Sequence, residues 1–188
     1  MTVIMADFNI AIPKLLKAEG GHVNHPNDKG KETNMGITIK KARKFGWKGE
    51  MKDLPVELAK RIYKEDYWDR MKLDQIKNQT LADILFNFGV HCGTGTASKT
   101  LQRTLNILNR NNVSWWDTIV DGLVGPKTRT IVNALSDSDM MYTMKILIGL
   151  QFERYIVIVE RDSTQEIFIR GWINRIGELL EEIESLAA

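Results

Sequence analysis

The fold is decided by residues 8–38, which read FNIAIPKLLKAEGGHVNHPNDKGKETNMGIT. Within this stretch, side chains recur at steps of four, three and four residues: Phe8, Ile12, Leu15 and Glu19. Such spacing places them on one face of a helix, and the pair Gly20-Gly21 is typical of a helix end. The residues that follow are rich in Gly, Asn and Asp, which favour turns. The stretch therefore predicts a helix up to Glu19 and then a loop or small β-hairpin at about 20–38.

Helical spacing also dominates the rest of the chain. The predicted helices cover residues 38–46, 53–68, 81–88, 97–108, 126–135, 139–162 and 165–186. Thr38 is the expected cap of the first of these, and Gly89 is expected to end the third. The fold class is therefore mainly α, a helical bundle with a small β element. The run Asn109-Arg110-Asn111-Asn112 interrupts the helices and predicts a subdomain boundary near residue 110.

The composition is that of an ordinary globular chain. Of its 188 residues, 43% are hydrophobic and 27% are charged, which excludes disordered and low-complexity classes. Cys92 stands alone in the sequence, so an internal disulfide and a four-thiolate zinc site are both excluded. Charged residues interrupt the longest apolar stretch, near 146–159, so we expect no stable membrane insertion. The first residues show no recognisable signal peptide.

The charges are distributed unevenly along the chain. Residues 1–80 hold 16 Lys and Arg against 11 Asp and Glu, whereas the remaining residues have an acidic excess. A basic front half suggests an anionic partner. The excess is too small to indicate nucleic acid, and no basic stripe with interleaved aromatic residues is present. We therefore expect no nucleic-acid partner.

Glu19 is the residue best suited to chemistry. It continues the apolar face of its helix and stands at the helix's carboxyl end, so partial burial and the helix dipole both raise the pKa of its carboxyl group. A glutamic acid that stays protonated near neutral pH can protonate the leaving-group oxygen of a glycosidic bond. The alternative is a structural glutamate that faces solvent or pairs with Lys14 or Lys17.

Asp28 is the candidate for the second group that a glycosidase requires. It follows Glu19 with eight residues between them, and a folded loop would bring it back to the site. It would position water or stabilise the positive charge that develops on the sugar. The alternative is an Asp that only hydrogen-bonds the backbone of its own turn. Thr33, Asn34 and Thr38 add small polar groups, and Gly36 would allow close approach of a sugar.

Two other kinds of site are disfavoured. Metal binding by His22, His25 and Asp28 competes with the commoner case of loop histidines that face solvent or a polar groove. The adjacent pair His91-Cys92 has no identifiable orienting partner, and neighbouring side chains rarely converge on one substrate atom. We expect no metal and no organic cofactor. The tryptophans near helix ends have the shape to stack on sugars, although core packing is the favoured role.

The residues just discussed resemble the signature of glycoside hydrolase family 108, which comprises lysozyme-like N-acetylmuramidases of phage endolysins and of bacterial proteins labelled secretion activators. The first block of similarity is Glu19-Gly20-Gly21, Val23-Asn24, Pro26, Asp28, Gly30, Thr33-Asn34 and Gly36-Ile37-Thr38. Later matches are Tyr67-Trp68, Phe86-Asn87-Phe88-Gly89-Val90, Ala97 and Leu101-Gln102. A predicted peptidoglycan-binding segment is matched by Asp121-Gly122, Gly125-Pro126, Thr128, Phe168, Gly171-Trp172 and Asn174-Arg175. His22, His25 and Lys31 depart from the usual pattern.

This resemblance implies a lysozyme-like α+β fold, with a catalytic domain over 1–110 and a helical peptidoglycan-binding segment over 111–188 packed against it. The implied reaction is hydrolysis of the β-1,4 bond between N-acetylmuramic acid and N-acetylglucosamine in peptidoglycan glycan strands. Glu19 becomes the general acid, and a looser similarity to phage lysozymes places Asp28 and Asn34 beside it. The expected substrate-binding residues are Gly20, Gly21, His22, Asn34, Gly36, Thr38 and Asn87.

Two alternatives stay open at this point. A lytic transglycosylase acts on the same bond with one glutamic acid, and a non-catalytic module would only bind the cell wall or assist secretion. We expect the protein to be cytoplasmic until release and to act at the cell wall or in the periplasm. Release through a holin, as for phage enzymes, and exit without a recognisable signal are both open routes.

Overall fold

The computed structural model describes residues 4–19, 21, 23–24 and 32–187 of the chain. Its helices are α1 (Phe8–Glu19), α2 (Ile39–Lys44), α3 (Val56–Tyr63), α4 (Gln79–Cys92), α5 (Thr94–Leu108), α6 (Pro126–Ala134), α7 (Asp137–Arg161) and α8 (Glu166–Ala187). Short 3₁₀ turns cover 51–53, 73–75 and 163–165, and a π-helical turn extends α3 over 64–68. The strands are β1 (Val23–Asn24), β2 (Glu32–Asn34) and β3 (Ile37–Thr38). The mainly α fold with a small β element confirms the predicted fold class.

Helix α1 follows the predicted pattern. Asp7 precedes it, and its carboxylate accepts a hydrogen bond from the Asn9 amide at 2.8 Å, which satisfies a free donor of the first turn. Phe8, Ile12 and Leu15 are buried and form the face that packs against α4. The helix ends at Glu19, as predicted, so the apolar face of α1 leads directly to that carboxyl group.

The β element is a three-stranded antiparallel sheet in the order β1-β2-β3. Val23 pairs with Thr33, and Asn34 pairs with Ile37 across a two-residue turn. Both turn residues have positive φ, 50° at Met35 and 71° at Gly36, as type I′ hairpin turns require. This sheet lies within the stretch predicted to hold a loop or hairpin. It places Gly36 at the tip of the second hairpin.

The structure corrects the predicted end of α4. This helix continues through Gly89 to Cys92, and Gly93, with φ of 88°, follows its last residue. A β-carbon at position 89 would lie 2.5 Å from Cε of Met71. Gly89 therefore allows α4 and Met71 to pack closely. The prediction considered only the local tendency of glycine to end a helix.

Helix α4 is the centre of the molecule. It is buried almost throughout and packs against α1, α5, α7 and α8. An aromatic cluster fills the space on one side of it, with Phe86 in edge-to-face contact with Phe8, Tyr63 and Trp68. On another side, Gln151 of α7 donates a hydrogen bond to Asn87 of α4 at 3.0 Å in a buried position. The front and back halves of the chain thus share α4 as a packing surface.

The division of the chain near residue 110 stays a prediction. Helices on both sides of that point pack together, since α4 contacts α7 and α8, and α5 contacts α7.

Among the residues that the structure describes, none of the helices combines the length and apolar character needed to cross a membrane.

Candidate active site

Glu19 lies at the carboxyl end of α1 with its side chain only 13% exposed. Burial of a carboxyl group disfavours its charged form. This burial is the largest influence on Glu19 and raises its pKa above the usual value, while attraction from Arg175 partly offsets the rise. The direction agrees with the sequence prediction, but the opposing cation was not foreseen.

Arg175 of α8 is the cation that binds Glu19. Its Nη1 donates a hydrogen bond to Glu19 Oε1 at 2.7 Å, and its side chain is 11% exposed. Lys14, one of the partners considered for Glu19 from the sequence, instead binds Asp83 and Glu182. The sequence analysis included Arg175 in a motif that resembles the family but gave it no role. Nothing in the local pattern around Arg175 indicates contact with Glu19, which lies far away along the chain.

His91 of α4 completes a cluster of three side chains. Its Nε2 lies 3.5 Å from Glu19 Oε1 and also contacts Nη1 of Arg175. Burial and the neighbouring guanidinium lower the pKa of His91 to about 3, so the ring is neutral at physiological pH. A neutral ring that accepts a hydrogen bond from Arg175 at Nε2 carries its proton on Nδ1. His91 therefore supports Arg175 and does not compete with it as a second cation.

Gly36 forms the wall on the other side of the Glu19 carboxyl group. A β-carbon on Gly36 would lie 2.3 Å from Glu19 Oε2 and 2.5 Å from the Tyr63 hydroxyl. That hydroxyl donates a hydrogen bond to the carbonyl of Met35 at 2.8 Å, which ties the hairpin tip to α3. Gly36 was predicted to let a sugar approach the backbone. In the structure, the Glu19 carboxyl group occupies the space that a β-carbon on Gly36 would take. Tyr63 lies in the helix predicted over residues 53–68, and the sequence assigned it no role at the site.

Three predicted substrate-binding residues have structural partners. Asn34 donates to the carbonyl of Met51 at 2.7 Å, and the Thr38 hydroxyl caps α2 by accepting from the Lys41 amide. Asn87 accepts the hydrogen bond from Gln151 described above. These contacts hold the sheet, α2 and α7 in place. Contact of the three residues with substrate stays a prediction.

The predicted site residues that remain are Gly20, Gly21, His22 and Asp28. Gly21 is exposed just beyond α1. Gly20, His22 and Asp28 lie outside the described residues. The metal site considered from the sequence, with His22, His25 and Asp28 as ligands, also lies outside them. Within the described part of the chain, no group of three or more His, Cys, Asp or Glu residues is arranged to hold a metal ion. Burial raises the pKa of the Cys92 thiol to about 11, which does not favour a nucleophilic role.

The tryptophans divide between core and surface. Trp68 is fully buried, and Trp172 packs against Tyr155 with ring centroids 5.1 Å apart. Trp115 is half-buried and donates to the carbonyl of Leu105, whereas its neighbour Trp116 is 73% exposed. Three other apolar side chains of the same connection between α5 and α6 are also largely exposed: Val113, Ile119 and Leu123.

Hydrogen bonds hold that connection in place. Gln102 of α5 donates to the Asp121 carboxylate and accepts from the Gly122 amide, and Asn106 bonds the backbone of Thr118. Since these bonds fix the backbone, the exposed apolar side chains are presented on a defined surface.

Fold and site together define a helical protein whose first helix ends in a buried carboxyl group beside a small sheet, an arrangement suited to glycosidic acid catalysis. Residues 12–93 match the family model described as Glycosyl hydrolase 108, and residues 96–177 match the model described as Predicted Peptidoglycan domain. The first half of the chain is thus similar to the glycosyl hydrolase 108 family, and the second half is similar to a predicted peptidoglycan domain.

A solved structure entitled "Structure of Brucella abortus SagA" is similar along nearly the whole chain. The two share 26% sequence identity with a TM-score of 0.72, and the match covers 95% of this chain and 94% of the other. No curated protein matches the sequence. The family matches confirm the resemblance drawn from the sequence and indicate a lysozyme-like hydrolase of the cell wall with peptidoglycan as its partner.

Proposed function

We propose that this protein is an N-acetylmuramidase, which hydrolyses the β-1,4 bond between N-acetylmuramic acid and N-acetylglucosamine with Glu19 as its general acid. One observation carries the proposal: within the segment that matches Glycosyl hydrolase 108, the Glu19 carboxyl is buried at a helix end and its pKa is raised. A general acid must hold a proton at the working pH, and burial favours the protonated form.

The proposed reaction follows from that proton. Glu19 donates it to the bridging oxygen as the bond from this oxygen to the anomeric carbon breaks, which leaves positive charge on the muramic acid ring. Asp28 stabilises this charge or positions the attacking water, and Asn34 or Thr38 assists. Water adds to the anomeric carbon and gives up one proton, either to the Asp28 carboxylate or back to the Glu19 carboxylate, as the new reducing end forms. The proposed chemistry requires neither a metal nor an organic cofactor.

We further propose that the exposed connection between α5 and α6 contacts the glycan strands. It lies in the segment that matches Predicted Peptidoglycan domain, and Trp116 exposes the flat apolar face that packs against sugar rings.

Clearance of purified peptidoglycan sacculi tests the function. We expect Glu19→Gln to reduce the rate of clearance about a hundredfold or more, which is typical for loss of a general acid. Glu160→Gln, which removes an exposed carboxylate from α7, is the matched control and should clear at the wild-type rate. Equal clearance by wild type and Glu19→Gln would refute the assignment. Binding of sacculi without clearance by either protein would favour the non-catalytic wall-binding module.

We propose that the protein resides in the cytoplasm until release and then acts at the cell wall. Its release would occur through a holin or by exit without a recognisable signal. Its peptidoglycan partner supports the site of action. Fractionation of producing cells with and without a co-expressed holin tests the route. Holin-dependent appearance outside the cytoplasm supports the first route, and appearance without a holin supports the second.

A further inference from the structure

The side chain that binds Glu19 comes from the other half of the chain. Glu19 belongs to the segment that matches Glycosyl hydrolase 108, and Arg175 belongs to the segment that matches Predicted Peptidoglycan domain. Their hydrogen bond measures 2.7 Å, and both side chains are close to nine-tenths buried. A buried, charge-assisted hydrogen bond of this length fixes the orientation of a carboxyl group much better than an exposed ion pair does.

Arg175 is itself held in place by residues of two further helices. His91 of α4 contacts the same Nη1 atom that binds Glu19. The His91 ring packs against Tyr155 of α7 with centroids 5.8 Å apart, and Tyr155 packs in turn against Trp172 of α8. The guanidinium group is therefore contacted directly by His91 of α4, and His91 is in turn held by its packing against α7.

We infer that Arg175 is a positioning residue for Glu19, supported by His91, and that the catalytic centre is consequently shared between the two matched segments. This inference rests on the proposed role of Glu19. The second segment, in addition to meeting the glycan, holds the acid of the first segment in its working orientation.

Arg175 also carries a charge that affects when Glu19 is protonated. In the described part of the chain, the titratable groups that face Glu19 from packed elements are Arg175 on α8, His91 on α4, Tyr63 on α3 and Tyr155 on α7. Burial and Arg175 keep the histidine neutral at physiological pH. The two phenols are neutral there because their ordinary pKa lies near 10, and burial raises it further. Arg175 thus opposes the effect of burial and lowers the pH above which Glu19 loses its proton.

The test is the pH dependence of kcat, measured on purified sacculi with the full chain. The sign follows from the charge: without Arg175, the buried carboxyl keeps its proton to higher pH, so the alkaline limb of activity moves upward. For Arg175→Gln we expect a shift of roughly one pH unit or more and a loss of about tenfold in kcat at the optimum. Arg175→Lys keeps the positive charge, so its alkaline limb should stay near that of wild type while kcat is reduced. His91→Phe should lower kcat because Arg175 loses its support.

Thermal unfolding identifies variants that fail to fold. A folded Arg175→Gln protein with wild-type kcat and an unmoved alkaline limb would overturn the inference. If Arg175→Gln does not fold, wild-type kcat in both Arg175→Lys and His91→Phe would overturn it. Glu19→Gln separates failure of the proposed function from failure of the role of Arg175. Full activity of Glu19→Gln refutes the proposed function. If Glu19→Gln is inactive but Arg175→Gln has the kcat and the alkaline limb of wild type, only the role of Arg175 is refuted.

Discussion

The Glu19 carboxyl group lies against the backbone of Gly36, so closely that a β-carbon at position 36 would come within 2.3 Å of Oε2. The hairpin tip and the end of α1 are therefore fitted to each other, and glycine is required there for space as well as for its positive φ.

Gly36→Ala is expected to abolish most of the activity, because the new methyl group displaces the Glu19 carboxyl. Gly46→Ala is a matched control, since Gly46 also has positive φ, and a β-carbon there meets no described atom within 4 Å. Both variants should lose roughly 1–2 kcal/mol of stability through the strained backbone, and Gly36→Ala should lose more, because its methyl group also crowds Glu19 and Tyr63. Sacculus clearance and denaturant unfolding together check this, and equal activities of the two variants would contradict it.

The raised pKa of Glu19 makes stability depend on pH. An acid whose pKa is higher in the folded state stabilises the fold fully below its unfolded pKa, and this contribution is lost as pH rises through the folded value. We therefore expect the free energy of unfolding of wild type, relative to Glu19→Gln, to fall as pH rises from about 4.3. Urea titrations across this range measure it. A difference that grows with pH would mean that Arg175 outweighs burial.

His91 is expected to stay neutral across the physiological range. Its pKa of about 3 lies below the unfolded value, so folding excludes the protonated ring and this term reduces stability as pH falls below about 6.5. The ring resonances of His91 should not titrate between pH 8 and pH 5 in an NMR experiment on the folded protein. A midpoint near 6.5 would show that the ring is not held neutral by Arg175 and burial.

Trp116 and Trp115 offer a matched pair for the proposed glycan contact. Trp116→Ala should weaken binding to sacculi several-fold with little change in stability, because the side chain is mostly exposed. Trp115→Ala should cost roughly 2–3 kcal/mol of stability, less than a full core tryptophan, because it is half-buried. Sedimentation of the inactive Glu19→Gln background with sacculi measures the binding. Unchanged binding by the Trp116 variant would remove this surface from the proposal.

The sequence predicts the features that depend on neighbouring residues. The spacing of Phe8, Ile12, Leu15 and Glu19 and the glycines after them predict both α1 and the place of its acid, because helix periodicity and termination are local properties. The turn at Met35-Gly36 falls within the predicted hairpin stretch for the same reason. These signals suffice to locate Glu19 and the small sheet.

Features that depend on tertiary packing were missed. Arg175 is 156 residues from Glu19, and no local pattern indicates that α8 returns to the end of α1. The helix continues through Gly89, where a β-carbon would lie too close to Met71, although glycine locally favours a helix end. The sequence also did not reveal the structural partners of Asn34 and Asn87, which are Met51 and Gln151. Contact of these two residues with substrate stays a prediction.

The most direct measurement of the central claim is mass spectrometry of the muropeptides that the wild-type protein releases from purified sacculi, compared with Glu19→Gln. We predict muropeptides that end in reducing N-acetylmuramic acid, and about a hundredfold less of them with Glu19→Gln. Anhydro-muramic ends would contradict hydrolysis and indicate a lytic transglycosylase. Equal release by both proteins would contradict the role of Glu19 itself.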